Sequence, residues 1–194
     1  FFRRRDDSGI DRIEAQVQLM VTDARHTFDL AMNALTGGSV ASVGEEVRRT
    51  DRRINVTEME IRRELVVHFS VHAAGDATEM LVFMNMIKDL ERIGDYNKNV
   101  FDLAEEGVSF LDADDLDRIL GFRDEISSRI ALMGEILTAR DAERARAYIA
   151  RGDEMLRGFD ALVTELVHST TVANHAVPRA LLYRFLKRIT AHSM

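Results

Sequence analysis

The sequence contains no cysteine, no tryptophan and only one proline among its 194 residues. Without cysteine the chain cannot form disulfides, thiolate zinc sites, iron–sulfur clusters or a thiol nucleophile. No apolar run approaches the roughly 20 residues that cross a bilayer. Acidic residues outnumber basic ones by 33 to 26, and this balance disfavours a general nucleic-acid-binding protein. The composition is otherwise that of an ordinary globular protein, with 46% hydrophobic and 30% charged residues. We therefore expect a soluble protein of the cytoplasm.

Apolar residues recur at helical spacing in six long segments. Gly37-Gly38-Ser39 should end the first segment, and Gly107 should follow the third as a left-handed helix terminus. We expect Asp112 or Asp114 to cap the fourth helix and Asp141 to cap the fifth. The last helix should begin near Pro178, because proline is favoured in the first turn of a helix.

The two halves of the chain repeat one another. The aligned segments are Leu90–Tyr96 with Leu186–His192, and Asp51-Asn55-Glu58 with Asp153-Arg157-Asp160. Long helices with short connections favour up-and-down packing. We therefore predict an all-α fold of two tandem antiparallel three-helix bundles, one in residues 1–107 and one in residues 108–194, the second cut short in its last helix.

Acidic side chains form two stripes at helical spacing. Glu91 and Asp95 lie one turn apart on the third helix, and Asp51, Asn55 and Glu58 share one face of the second. If these helices pack antiparallel, the stripes can meet, and four clustered carboxylates repel one another unless they are protonated or neutralised. A bound cation would relieve that repulsion. With no histidine or cysteine nearby, the donor set favours iron, manganese, magnesium or calcium over tetrahedral zinc.

A charged surface without metal is the alternative interpretation of the same stripes. Lys88, Arg52 and Arg92 lie close enough in sequence to pair with the acids. In the second repeat, Lys187 and Ala191 stand where the pattern has acids, so a lysine ammonium could neutralise the remaining aspartates. We therefore expect any metal to be bound by the first repeat.

The run from Met86 to Asn99, with Leu-Glu-Arg-Ile-Gly-Asp at its centre, resembles the third-helix signature of PhoU domains. The run from Asp51 to Ile61 resembles the second-helix signature that precedes it, and the tandem three-helix plan extends the resemblance over nearly the whole chain. The resemblance implies a non-enzymatic regulator of phosphate uptake and of the phosphate-starvation response. It implies an adaptor that binds the ATPase of the phosphate ABC transporter and the phosphate-sensing histidine kinase.

Some PhoU proteins hold multinuclear iron or zinc clusters. By resemblance, the metal ligands here would be Glu91 and Asp95, with Asp51 and Glu58 opposite them, binding iron, zinc or another divalent cation. The second repeat departs from this motif at Lys187 and Ala191.

Three other interpretations stay open at this point. The initial Phe-Phe-Arg-Arg-Arg resembles the cytoplasmic exit of a membrane helix, so the chain could be the PhoU-like domain of a sodium–phosphate symporter or another membrane-anchored protein. A carboxylate-bridged di-iron enzyme is a distant alternative, since the expected Glu-x-x-His motifs are missing. A helical oligomerisation module, such as a homodimer, also fits.

His68 and His72 are expected at an exposed helix end.

Overall fold

The structure, a computed structural model, describes residues 8–72 and 77–194. These residues form six α-helices and no strand, which confirms the all-α prediction. The initial Phe-Phe-Arg-Arg-Arg lies outside the described residues. The helices are α1 (Ser8–Leu35), α2 (Val40–His72), α3 (Ala77–Glu105), α4 (Leu116–Ala139), α5 (Ala142–Val167) and α6 (Ala173–His192). None of these helices is both long enough and apolar enough to cross a membrane.

Helices α1, α2 and α3 pack on one another as a three-helix bundle. Their apolar positions recur every three or four residues, so each helix turns one continuous stripe inward. Val17, Ala24 and Phe28 of α1 and Ile87 and Leu90 of α3 are completely buried. Burial of a leucine, isoleucine or phenylalanine side chain stabilises the fold by about 2 kcal/mol, so this stripe is the main source of the bundle's stability.

Helices α2 and α3 run antiparallel, and this direction places the acidic stripes side by side. Arg48 near the start of α2 pairs with Glu105 at the end of α3, whereas Asp51 pairs with Lys98 about two turns earlier along α3. Gly94 lies at the close approach of the helices, where a Cβ would be 3.3 Å from Ile54 Cδ1. A side chain at position 94 would therefore crowd the side chain of Ile54.

The second group of helices packs against the first and does not stand apart from it. Helix α5 packs mainly on α6, α6 also packs on α3, and α4 packs on α1 more than on α5 or α6. Gln18 of α1 donates a hydrogen bond to the carbonyl of Gly134 in α4 at 3.0 Å. Buried side chains from all six helices form one continuous core. The two repeats thus share a core, while the predicted boundary at residue 107 stays a prediction.

Some helix ends match their predicted local signals, and others do not. Asp141 caps α5 as expected, because its carboxylate accepts from the backbone N–H groups of Glu143 and Arg144. Gly107 has the expected positive φ of 85°. Helix α4 begins after Asp115, not after Asp112 or Asp114, and its cap residue makes no side-chain cap bond.

The start of the sixth helix was predicted wrongly. Helix α6 begins at Ala173, so Pro178 lies inside it and not in its first turn. Proline lacks the N–H that would bond four residues back, and this costs the helix one hydrogen bond. Helix α6 continues through the proline because Leu182, Tyr183 and Leu186 are buried on one face beyond it.

A few side chains also lie on unexpected sides of their helices. Leu81, Phe69 and Ile149 stand at apolar positions of the helical spacing, yet these residues are 66%, 49% and 41% exposed. On α3, the core position near Leu81 is filled instead by Met80 and Phe83, which are buried. His68 was expected at an exposed helix end but is buried beside Gly9, and the side chain of His72 lies outside what the structure describes.

Candidate functional site

The four predicted acids lie along the contact between α2 and α3. Asp51 and Glu58 face inward from α2 and are each only 8% exposed. Glu91 and Asp95 lie on α3, with side chains 18% and 32% exposed. Antiparallel packing of the two helices therefore brings both acidic stripes to the same side of the bundle, as the helical spacing predicts.

Lys98 joins two of these acids across the helix contact. Its ammonium lies 3.3 and 3.2 Å from the two carboxylate oxygens of Asp51 and 3.6 Å from Oδ1 of Asp95. Burial opposes the ammonium form, but hydrogen bonding and attraction from Asp51, and then from Asp95, leave the pKa of Lys98 raised above its ordinary value. The lysine is therefore the internal counter-ion of this acid pair.

The other two acids have their own cationic partners. Glu58 accepts from Arg62 one turn later on α2. Glu91 accepts from Lys88 at 2.8 Å, and Arg92 lies between Glu91 and Asp95, at 3.8 and 3.3 Å. Lys88 and Arg92 are two of the three partners that the charged-surface interpretation names.

Carboxylate oxygens are suitable ligands for hard divalent cations, but the present arrangement engages them in separate ion pairs. In residues 8–72 and 77–194, no group of three or more histidine, aspartate or glutamate side chains is positioned to hold a metal ion. The four acids are held in ion pairs with lysine and arginine side chains of the same chain. Metal binding by them stays a prediction, and it requires the lysine and arginine side chains to move away.

The corresponding position of the second repeat has the expected lysine. Lys187 of α6 lies 2.6 Å from both carboxylate oxygens of Asp160 on α5, and Arg184 adds a contact at 3.6 Å. Asp153 is exposed and lies outside this pair. By the repeat alignment, Asp160 corresponds to Glu58 and Lys187 to Glu91, so an ion pair stands where the first repeat has two acids.

Sequence reasoning missed a second charged cluster at the junction of the repeats. Arg179 of α6 donates to Asp115 at 2.9 and 3.1 Å, and Arg118 and the hydroxyl of Tyr183 donate to the same carboxylate, each at 3.0 Å. Burial alone would raise the pKa of Asp115, but these hydrogen bonds outweigh it and lower the pKa to about 2. Burial and the negative charge of Asp115 raise the pKa of Tyr183 to about 12.

This cluster fixes α6 to the start of α4, and it has no local sequence signal. Arg179 lies 64 residues after Asp115, so neither helical spacing nor a motif connects them. Its guanidinium also lies over the Phe110 ring, 5.5 Å from the ring centre. The cluster is structural, because Arg179, Arg118 and Tyr183 all donate to one carboxylate of the same chain.

The fold and the acidic α2–α3 contact define an all-α protein of two three-helix repeats, with internally neutralised carboxylates. The model of the PhoU domain family matches residues 17–104. A curated relative from Deinococcus radiodurans, described as a phosphate-specific transport system accessory protein PhoU homolog, is 25% identical over 156 residues, 76% of this chain and 72% of that protein. The crystal structure of PhoU from Pseudomonas aeruginosa superposes with a TM-score of 0.82 at 21% identity, covering 97% of this chain and 93% of that one.

These comparisons confirm the resemblance indicated by the Leu-Glu-Arg-Ile-Gly-Asp run: residues 17–104 match the PhoU domain. The match contains all four predicted acids. It also contains Lys98, which the sequence motif did not single out.

Proposed function

We propose that this chain regulates phosphate transport as a protein-binding adaptor. The observation that carries the proposal is the PhoU domain, which lies in a fold shared with PhoU of Pseudomonas aeruginosa over nearly the whole chain. The Deinococcus radiodurans relative is described as an accessory protein of a phosphate-specific transport system. Supporting this, the charged groups at the α2–α3 contact neutralise one another. We assign no catalytic residue.

The proposed partners are the ATPase subunit of a phosphate ABC transporter and a phosphate-sensing histidine kinase, both in the cytoplasm. An adaptor needs a surface that excludes water when a partner binds, and apolar side chains supply most of that free energy. The outer side of α2 has several exposed apolar side chains, which form the outer α2 surface: Val56, Met59, Val66, Val67 and Phe69. This surface is the part of the PhoU domain that we assign to the transporter ATPase.

A binding assay with the purified ATPase subunit of the same organism tests this assignment. Val67→Asp places a charge on the outer α2 surface at a side chain that is 63% exposed, so the fold should be unaffected. We expect at least a tenfold loss of affinity, because an interfacial carboxylate would have to be desolvated. The matched control is Val167→Asp on α5, at a side chain that is 71% exposed. Equal affinity of both variants and the wild-type protein would contradict the assigned surface, and no binding by wild type would contradict the partner.

A further inference from the structure

A buried arginine without an acidic partner lies in the second repeat. Arg129 of α4 is only 5% exposed, and its guanidinium stacks on the Tyr148 ring, 3.9 Å from the ring centre. Nη1 donates to the carbonyl oxygen of Tyr148 at 3.1 Å. Nε and Nη2 are buried, and neither has a hydrogen-bond partner in the part of the chain that the structure describes. Among the described residues, no carboxylate forms an ion pair with this arginine.

Nε and Nη2 form the edge of the guanidinium that can donate two hydrogen bonds to one oxyanion. Nε–H and one Nη–H point in parallel and donate together to the two oxygens of a carboxylate. A buried charge without such a partner is costly, since its lost hydration is not replaced. An anionic ligand would supply the two missing hydrogen-bond acceptors and the missing counter-charge.

An apolar groove of about 360 Å³ lies beside this arginine, between α3, α4, α5 and the end of α6. Aliphatic side chains provide most of its wall: Val82, Met86, Met133, Ile136, Leu137 and Ile149. Tyr148, on which the guanidinium stacks, belongs to the same wall. Asp89 is the one carboxylate of the described residues that line it, and it already contacts Nδ1 of His192 at 3.0 Å.

Gly152 is the place where the groove and the arginine meet. A Cβ on this residue would lie 2.7 Å from Nη2 of Arg129 and closer still to Sδ of Met194, so both side chains lie against the same stretch of α5 backbone. Met194 also lines the groove. Its unbranched side chain is flexible, and the residue is 38% exposed. A ligand in the groove would reach the guanidinium edge only after a change of this rotamer.

We propose that this groove binds an amphipathic carboxylate, with its alkyl chain on the aliphatic wall and its carboxylate on Nε and Nη2 of Arg129. The volume is within the range of small-molecule sites, and the wall is mainly apolar. The guanidinium of Arg129 lies behind this wall, against Tyr148 and beside Met194. Recognition needs both parts of the ligand. The site is separate from the α2–α3 contact and from the outer α2 surface, so it does not depend on the proposed adaptor role.

Calorimetric titration of the whole chain with sodium octanoate tests the proposal. We expect saturable binding to one site and a rise in melting temperature with octanoate concentration. Arg129→Met should weaken octanoate binding at least tenfold. The matched control Arg146→Met removes an exposed arginine of α5 and should leave the affinity unchanged. Octanol lacks the carboxylate and inorganic phosphate lacks the chain, so both should bind far more weakly than octanoate.

A second variant keeps the test decisive if Arg129→Met does not fold. Ile149→Asp adds a negative charge to the groove at a side chain that is 41% exposed, so it should fold and bind octanoate at least tenfold more weakly. No octanoate binding by the wild-type chain would overturn the proposal. Equal binding by wild type and Arg129→Met, or inorganic phosphate binding as tightly as octanoate, would do so as well.

Discussion

Lys98 of α3 contacts both carboxylate oxygens of Asp51 on α2, at 3.3 and 3.2 Å. The pair joins two helices of the PhoU domain at the position where the resemblance places metal ligands. Its members are partly buried, with side chains 31% and 11% exposed. The ion pair is therefore screened less by water than the surface pairs elsewhere on the chain.

Replacing Lys98 with methionine should lower the free energy of unfolding by about 1–2 kcal/mol, because Asp51 is left buried without its counter-ion. Urea denaturation at neutral pH measures the loss. The control is Lys88→Met, which removes a lysine that is 45% exposed and should cost clearly less. Equal losses for the two variants would mean that Lys98 has no special role at the helix contact.

The Asp115 cluster predicts a dependence of stability on acid pH. The pKa of this carboxyl falls from 3.8 to about 2 on folding, so the unfolded chain binds more protons than the folded chain between these values. The stabilisation is complete above about pH 4 and is lost as the pH falls towards 2. With a discount for solvent screening, it amounts to about 1–2 kcal/mol.

Asp115→Asn should therefore lose about 1–2 kcal/mol at pH 7 and show a flatter stability profile between pH 4 and pH 2. Urea denaturation across pH 2.5 to 7 gives the profile. Asp112→Asn, at an exposed neighbour, should keep the wild-type profile. If Asp115→Asn also retained the acid-dependent loss, another group would have to be its source.

Substitutions at Gly94 test how closely α2 and α3 are packed. A Cβ there would be 3.3 Å from Ile54 Cδ1, so the gain of about 1 kcal/mol in helix propensity for Gly94→Ala should be largely offset by crowding. Gly94→Val should lower stability by about 1–3 kcal/mol. At Gly121 of α4 a Cβ would meet nothing within 4 Å, so Gly121→Ala should raise stability by about 0.5–1 kcal/mol. Thermal denaturation compares the three variants, and a clear gain for Gly94→Val would contradict the close packing.

Any transition metal that the protein retains should be bound by the first repeat. Elemental analysis of protein from iron- and zinc-replete cultures measures it, and alanine at Glu91 and Asp95 should abolish retention. Alanine at Asp153 and Asp160 should not, since Lys187 already neutralises Asp160. Halving of the metal content by the second pair of substitutions would contradict this asymmetry, and metal-free wild-type protein would rule out the metal-binding prediction itself.

Local signals in the sequence predicted the helices and the acidic faces, because helical periodicity and capping act over a few residues. The cap position of Asp141 predicted its role at the start of α5. The repeat alignment predicted that Lys187 neutralises an aspartate of α5, which is Asp160. The partnership of Lys98 with Asp51 was missed, since the residues are 47 positions apart and only packing brings them together. The unpartnered edge of Arg129 was missed for a similar reason: an arginine on a helix is ordinarily exposed, and its burial depends on α5 and α6.

The most direct test of the regulatory role is a phosphate-starvation reporter in the organism that encodes this chain, with any other PhoU gene removed. Deletion of the gene should leave the reporter active in phosphate-rich medium, and the wild-type chain should restore repression. Val67→Asp should fail to restore it, while Val167→Asp should succeed. A reporter that responds normally to phosphate after the deletion would contradict the assignment of this protein to phosphate regulation.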